Sequence, residues 1–241
     1  MASSKKPALI FIHGFRGSHL GLEKVASYFP DYDVYLPDLP PFGEAGPMES
    51  YSDEDYAKYV VNYIRAKKLK QPILIGHSMG SIVSSIVAEK YPEAINQKLI
   101  LMSPISARTS KFFGNLQPLV LVIPNRLISW ITTKFLFIPK DRKLFKETLV
   151  ITNKCGAKNA GRKAVKKAAQ FSASNCIADY KFDKKTLFIS GSNDRLMPRK
   201  NTDKLSAEIN AASVFIPDSG HLINYEHPEE VAKAIREFIE S

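Results

Sequence analysis

Residues 71–90, QPILIGHSMGSIVSSIVAEK, decide the fold, because GHSMG (76–80) stands in them between a short apolar run and an amphipathic one. A G-x-S-x-G pentapeptide arises by chance in about one chain in twenty of this glycine and serine content, so it carries weight only in context. Pro72 to Ile75 reads as a buried strand, and Ile82, Val83, Ile86 and Val87 recur at the spacing of one helix face. A strand turning sharply into a helix here would expose the Ser78 hydroxyl, with Gly76 and Gly80 removing side chains that would clash in the turn.

The same alternation runs outward in both directions. Apolar runs at 7–12, 33–36, 98–102, 186–189 and 213–216 predict five further strands. Leu20, Val25, Ala26 and Phe29 predict a helix after the first of them. Ser52 reads as the cap of a helix carrying Tyr56, Tyr59, Val60, Tyr63 and Ile64, and RAKKLK (65–70) suits its C-terminus. Val231, Ile235, Phe238 and Ile239 predict a last helix, and PDLPPFGEAGP (37–47) is loop by composition. The expected class is α/β: a doubly wound, mostly parallel six-stranded sheet with helices on both faces.

Residues 105–185 break that rhythm. They are expected to form an inserted, basic, largely helical cap, with 1–104 and 186–241 as the core of a single domain. In the apolar half of the insert, 112–138, Pro118, Pro124, Asn125, Arg126 and Lys134 interrupt the run, which predicts short helices in place of a membrane span. Around 157–171, Ala160, Ala164, Val165, Ala168 and Ala169 stand against Arg162, Lys163, Lys166 and Lys167, an amphipathic pattern with a basic face.

The net charge of +10 is concentrated there: 105–185 holds 17 Lys and Arg against four acids, giving +13, and the remainder holds 17 against 20, giving −3. Such asymmetry fits a solvated basic surface that keeps the protein soluble, an anionic group on the substrate or weak contact with an anionic membrane surface, and no specific nucleic-acid partner is expected. Cys155 and Cys176 have neither CxxC nor metal spacing and read as reduced thiols. The basic start MASSKK meets only a short apolar run before His13, too little for a signal peptide, so a cytoplasmic location is expected. No phosphate-cradling glycine motif or metal-ligand cluster occurs, and neither cofactor nor metal is expected.

A serine hydroxyl needs a base, an orienting acid and donors for a developing oxyanion. SGSNDRLMP (190–198) follows the fifth predicted strand and offers Asp194; PDSGHLINYEHPEE (217–230) follows the sixth and offers His221. With HGF (13–15) after the first strand, the four motifs occur in the order and at the strand ends of the α/β-hydrolase superfamily, which the sequence resembles over nearly its whole length. The resemblance implies Ser78 as nucleophile, His221 as general base and acid, Asp194 as orienting acid, and the backbone N–H groups of Phe15 and Met79 as the oxyanion hole. The insert then corresponds to the family's cap, and since the first predicted strand is already the one that precedes HGF, the sheet is expected without the extra N-terminal strands common in the family.

Other residues compete for these roles. His77 neighbours the serine but points elsewhere on such a turn, and His13 reads as structural beneath the oxyanion loop. His19 and His227 read as helix starts, and Asp218 as a turn residue. The expected activity is hydrolysis of a small carboxylic ester or related acyl compound through an acyl-enzyme. Carbon–carbon bond cleavage of an anionic substrate by the same residues, with Arg16 in the oxyanion loop, and a non-catalytic binding protein that keeps the fold are the alternatives.

Overall fold

The computed structural model describes residues 6–106, 125–138, 141–154 and 161–241. Six strands, β1 (Leu9–Ile12), β2 (Val34–Tyr35), β3 (Ile73–His77), β4 (Lys98–Met102), β5 (Lys185–Gly191) and β6 (Ala212–Ile216), form one sheet in the order β2-β1-β3-β4-β5-β6. Every neighbouring pair is parallel. The described helices are α1 (Glu23–Ala26), α2 (Asp53–Ala66), α3 (Met79–Lys90), α4 (Asn125–Leu136), α5 (Arg142–Lys154), α6 (Arg162–Ser174), α7 (Arg199–Glu208), α8 (Ile223–Glu226) and α9 (Pro228–Glu240).

Strand alternation sorts the core into two layers. Leu9, Phe11, Ile73, Ile75, Ile100 and Met102 face the cluster that holds Val25 and Phe29 and, from α9, Val231, Ile235 and Phe238. Ile10, Ile12, Leu74, Leu99 and Leu101 face the opposite way, onto Tyr56 and Val60 of α2 and Ile82, Val83 and Ile86 of α3. Because the side-chain period of a strand is two, a register slip of one residue would exchange these faces, and burial on both sides holds the register in place. The strand order reverses between β1 and β3, and the loops that leave their C-terminal ends open a crevice there.

The predicted cap on α2 is present: the Ser52 hydroxyl accepts the Asp55 N–H at 3.2 Å, and the Asp55 carboxylate accepts the Ser52 N–H at 2.8 Å. Such a reciprocal pair stabilises a helix start by about 1 kcal/mol. The helix expected around 20–29 is shorter than its pattern. A 3-10 turn at His19–Gly21 precedes the four-residue α1, and the Tyr225 hydroxyl lies 2.3 Å from where a Cβ on Gly21 would stand, so the chain is pressed close to α8 at that point. β2 is likewise only two residues long, since it pairs on one side alone and Pro37 follows shortly.

Of the insert, residues 107–124, 139–140 and 155–160 lie outside the described residues, and with them the first part of the expected apolar run, 112–124, and Cys155. The described parts are helical. α4 and α5 pack against each other, and the Phe137 and Phe145 rings beyond α4 and in α5 sit 5.7 Å apart. α6 joins the sheet's own core: Ala168 and Phe171 are buried, and the Phe171 ring lies 4.4 Å from that of Tyr56 in α2. On the opposite face Arg162, Lys163 and Lys166 are exposed, and the half-exposed Lys167 donates to the Glu49 carbonyl at 2.6 Å. Among the described residues no helix is long and apolar enough to cross a membrane.

Candidate active site

β3 ends at His77, and the next residue, Ser78, has φ 53° and ψ −116° before α3 begins at Met79. A non-glycine residue there costs about 1–3 kcal/mol and persists only where its surroundings enforce it. They do so here through the Ser78 N–H, which donates to the Met102 carbonyl at 2.9 Å, and the Ser78 carbonyl, which accepts from the Ser81 N–H and hydroxyl. A Cβ on Gly76 would stand 2.4 Å from the Gly80 carbonyl oxygen, and one on Gly80 would stand 2.2 Å from that of Ile12. The backbones of β1, β3 and α3 thus cross where only glycine fits, which is the physical content of the GHSMG spacing.

Asp194 lies on the loop after β5. Its Oδ1 accepts the N–H groups of Leu196 at 2.8 Å and Met197 at 2.9 Å, leaving Oδ2 to meet His221 Nδ1 at 2.8 Å. A carboxylate only accepts, so Nδ1 carries the proton; in the neutral ring Nε2 then offers its lone pair to Ser78 Oγ, 3.0 Å away. Asp194 and His221 are almost fully buried, at 3% and 2% exposure, so this chain is shielded from competing water. Asp218, by contrast, is exposed in the turn after β6 with φ 50°. The structure therefore joins Ser78, His221 and Asp194 and leaves Asp218 apart.

The histidine's main chain is held as firmly as its ring. Its N–H donates to the Leu136 carbonyl at 2.9 Å, and its carbonyl accepts from His77 Nε2 and from the Ser103 hydroxyl, each at 3.0 Å. Burial, reinforced by the neighbouring His221 ring, pushes the His77 pKa down to about 3, so it is a neutral donor at physiological pH. His13 is neutral for the same reason, burial, and its Nε2 accepts the Leu39 N–H at 2.7 Å beneath the loop after β1. His19 opens the 3-10 turn and His227 caps α9, as their positions implied.

The lowered pKa of His77 has a measurable consequence for acid stability. An unfolded imidazole binds its proton below the ordinary histidine pKa of 6.5, but the folded His77 does so only near pH 3, so its contribution is complete above pH 6.5 and is lost as pH falls through that window. Each such group steepens the loss by about 1.4 kcal/mol per pH unit. His77→Gln, whose amide can still donate to the His221 carbonyl, is expected to flatten the unfolding free-energy profile between pH 6 and 4 by about that slope. Urea titrations at several pH values measure it, and parallel profiles for the two proteins would show that His77 is protonated when folded.

Phe15 and Met79 carry the backbone N–H groups assigned to the oxyanion hole. Neither N–H has a hydrogen-bond partner among the described residues, and that of Met79 belongs to the first turn of α3, where intrahelical acceptors are lacking. A cavity of about 160 Å³ opens beside Ser78; Phe15, His221, Leu136, Thr152 and Ser172 are among its walls. Three residues that sequence reasoning passed over complete the frame. Asp38 accepts from His19 Nδ1 at 2.8 Å and ties the loop after β1 to that after β2. Ser103 and Glu226 secure the histidine loop; only their places, at the end of the fourth strand and shortly after His221, were a signal.

A serine raised on a strained turn at a topological switch point marks one class of proteins, the α/β-fold hydrolases. The chain belongs to that family: residues 7–228 match the family described as alpha/beta hydrolase fold. It is 27% identical to the Bacillus subtilis hydrolase YugF over 253 residues, covering 97% of this chain and 90% of that protein. Identity to Lipase 1 of Psychrobacter immobilis is 26% over 252 residues, covering 97% and 78%. Among solved structures, a thermophilic esterase from Thermogutta terrifontis has a TM-score of 0.77 at 23% identity, covering 99% of this chain and 91% of that one.

Proposed function

We propose that the protein is a serine hydrolase of small carboxylic esters or related acyl compounds, acting through an acyl-enzyme. The hydrogen-bonded chain Asp194–His221–Ser78 carries this reading. Ser78 Oγ attacks the acyl carbonyl as its proton passes to His221 Nε2, and Asp194 stabilises the resulting imidazolium through Nδ1–H. The Phe15 and Met79 N–H groups receive the oxyanion. Collapse of the tetrahedral intermediate breaks the ester C–O bond, and His221 returns the proton to the leaving alcohol. Water then attacks the acyl-enzyme with His221 again as base, releasing the acid and restoring the Ser78 hydroxyl. Relatives that bear the names lipase and esterase support the reaction class. Reaction of Ser78 with a fluorophosphonate tests the reading directly.

The helices α4, α5 and α6 serve as the cap in this reading, and a cytoplasmic location with reduced thiols belongs to it; Cys176 is a free, buried thiol. The acyl site is largely apolar, but Arg16 lines it with φ 58°, and burial lowers the pKa of its guanidinium. A half-buried cation beside the nucleophile favours a substrate that carries a carboxylate, and the basic excess of 105–185 would steer it in. At low salt, kcat/KM for an ester bearing a carboxylate is therefore expected to exceed that of its neutral isostere several-fold. The advantage should shrink as salt shortens the screening length to about 8 Å, and should be smaller in Arg16→Gln, which leaves only the steering by 105–185. Equal values at both ionic strengths would remove the anionic substrate from the proposal. Co-sedimentation with anionic but not neutral vesicles, lost when the exposed Leu127, Trp130 and Ile131 of α4 become serine, would assign the charge to a membrane surface instead.

A further inference from the structure

Glu226 ends α8, five positions after His221, and is only 6% exposed. Its carboxylate is surrounded by main-chain donors. Oε2 accepts the Gly220 N–H at 2.8 Å and the Ile138 N–H at 3.3 Å, and Oε1 accepts the Leu222 N–H at 3.2 Å. Gly220 and Leu222 flank His221; Ile138 lies two residues past the end of α4. The bond to Leu222 alone would be local helix capping. The bond to Ile138 is not, because it spans 88 positions and reaches the inserted segment.

The contact runs both ways across this seam. Leu136, the last residue of α4, accepts the His221 N–H at 2.9 Å. A Cβ on Gly220 would stand 2.3 Å from the Leu136 carbonyl oxygen and 2.8 Å from Ile138 Cγ1, so the exit of α4 lies directly on the histidine's main chain. A buried carboxylate persists only where donors compensate its lost water, and these donors come from the two segments that must be kept together.

We propose that Glu226 is a positioning residue that fastens the exit of α4 to the His221 loop, so that the seat of the cap and the alignment of the imidazole are set by one group. The proposal rests on the reading of His221 as the base for Ser78. Displacing the α4 exit would withdraw the acceptor from the His221 N–H and a donor from Glu226 together. Imidazole and hydroxyl would drift from hydrogen-bonding distance, and misplacement by about 1 Å can slow a reaction on the order of 100-fold.

The test is Glu226→Gln, which keeps the shape but presents an NH2 group to at least one main-chain N–H, donor against donor. Fluorophosphonate labelling of Ser78 is expected to slow by about 10- to 100-fold, with KM for an ester little changed. Amide hydrogen exchange at Ile138, Gly220 and Leu222 should accelerate together, while the amides of β3 and β4 keep their protection. Ile138→Pro deletes only the inserted segment's donor and keeps the question answerable if Glu226→Gln does not fold; it should also slow labelling. Wild-type labelling in a folded Glu226→Gln overturns the positioning role. Faster exchange at Gly220 and Leu222 with Ile138 unchanged reduces Glu226 to local capping and overturns the fastening. If the wild-type protein is not labelled at all, the serine reading fails on its own, and the exchange measurement still decides whether the two segments are fastened.

Discussion

Ser78→Ala is expected to abolish covalent labelling by a fluorophosphonate and to lower kcat for an activated ester on the order of 10⁶-fold, while leaving the fold intact. Every other part of the proposed machinery acts on the Ser78 oxygen. Removing that oxygen leaves the N–H donors and the cavity, which bind but cannot attack, and the residual rate is that of water in an oriented site. Stability should hardly fall, because Ser78 Oγ makes one hydrogen bond, to His221, and its removal opens no apolar cavity. Alanine also tolerates the φ of 53° no worse than serine. Mass spectrometry of the labelled protein, with ester turnover by stopped assay, reads both effects. Undiminished labelling in Ser78→Ala would transfer the nucleophile to another residue and dissolve the proposed mechanism.

Asp194→Asn is expected to lower kcat about 10⁴-fold with Ser78 still present. The Leu196 and Met197 N–H groups will hold the amide oxygen at the Oδ1 position, since they are donors and need an acceptor. The NH2 group must then face His221 Nδ1 at the site of the 2.8 Å contact, which forces that nitrogen to accept and moves the ring proton to Nε2. A protonated Nε2 cannot take the serine's proton. Asp218→Asn should change kcat less than about twofold, since Asp218 sits exposed in its turn and accepting groups there are solvated. The reverse ranking would make Asp218 the orienting acid and contradict the geometry on which the proposal stands.

Much of this arrangement was legible in the chain because it depends on local chemistry. The glycines at 76 and 80, the apolar period of two before them and of 3.6 after them, and the polar strand ends at 194 and 221 are all set by what the backbone tolerates over a few residues. The Ser52 cap was equally readable, since its partner Asp55 is three positions away. Where the sequence pattern overreached, at the helix expected near 20–29, the cause was a neighbour remote in sequence: Tyr225 packs on Gly21. The helix expected in the second half of the insert has its amphipathic pattern, with Arg162, Lys163 and Lys166 exposed, but that its apolar face meets α2, Phe171 on Tyr56, was not readable from the local pattern.

By itself, then, the sequence determined the parallel α/β sheet, the strained serine turn and the candidate serine, histidine and aspartate, since each follows from periodicity, glycine sterics or a side chain's chemistry at a strand end. Only the tertiary structure shows Asp194, already preferred to Asp218, on the imidazole, and it alone decided that His77 and Ser103 hold the His221 carbonyl and that Glu226 links its loop to Ile138. Those contacts join residues 27, 144, 118 and 88 positions apart, and no local preference of the chain encodes a hydrogen bond whose two halves meet only when the sheet has assembled.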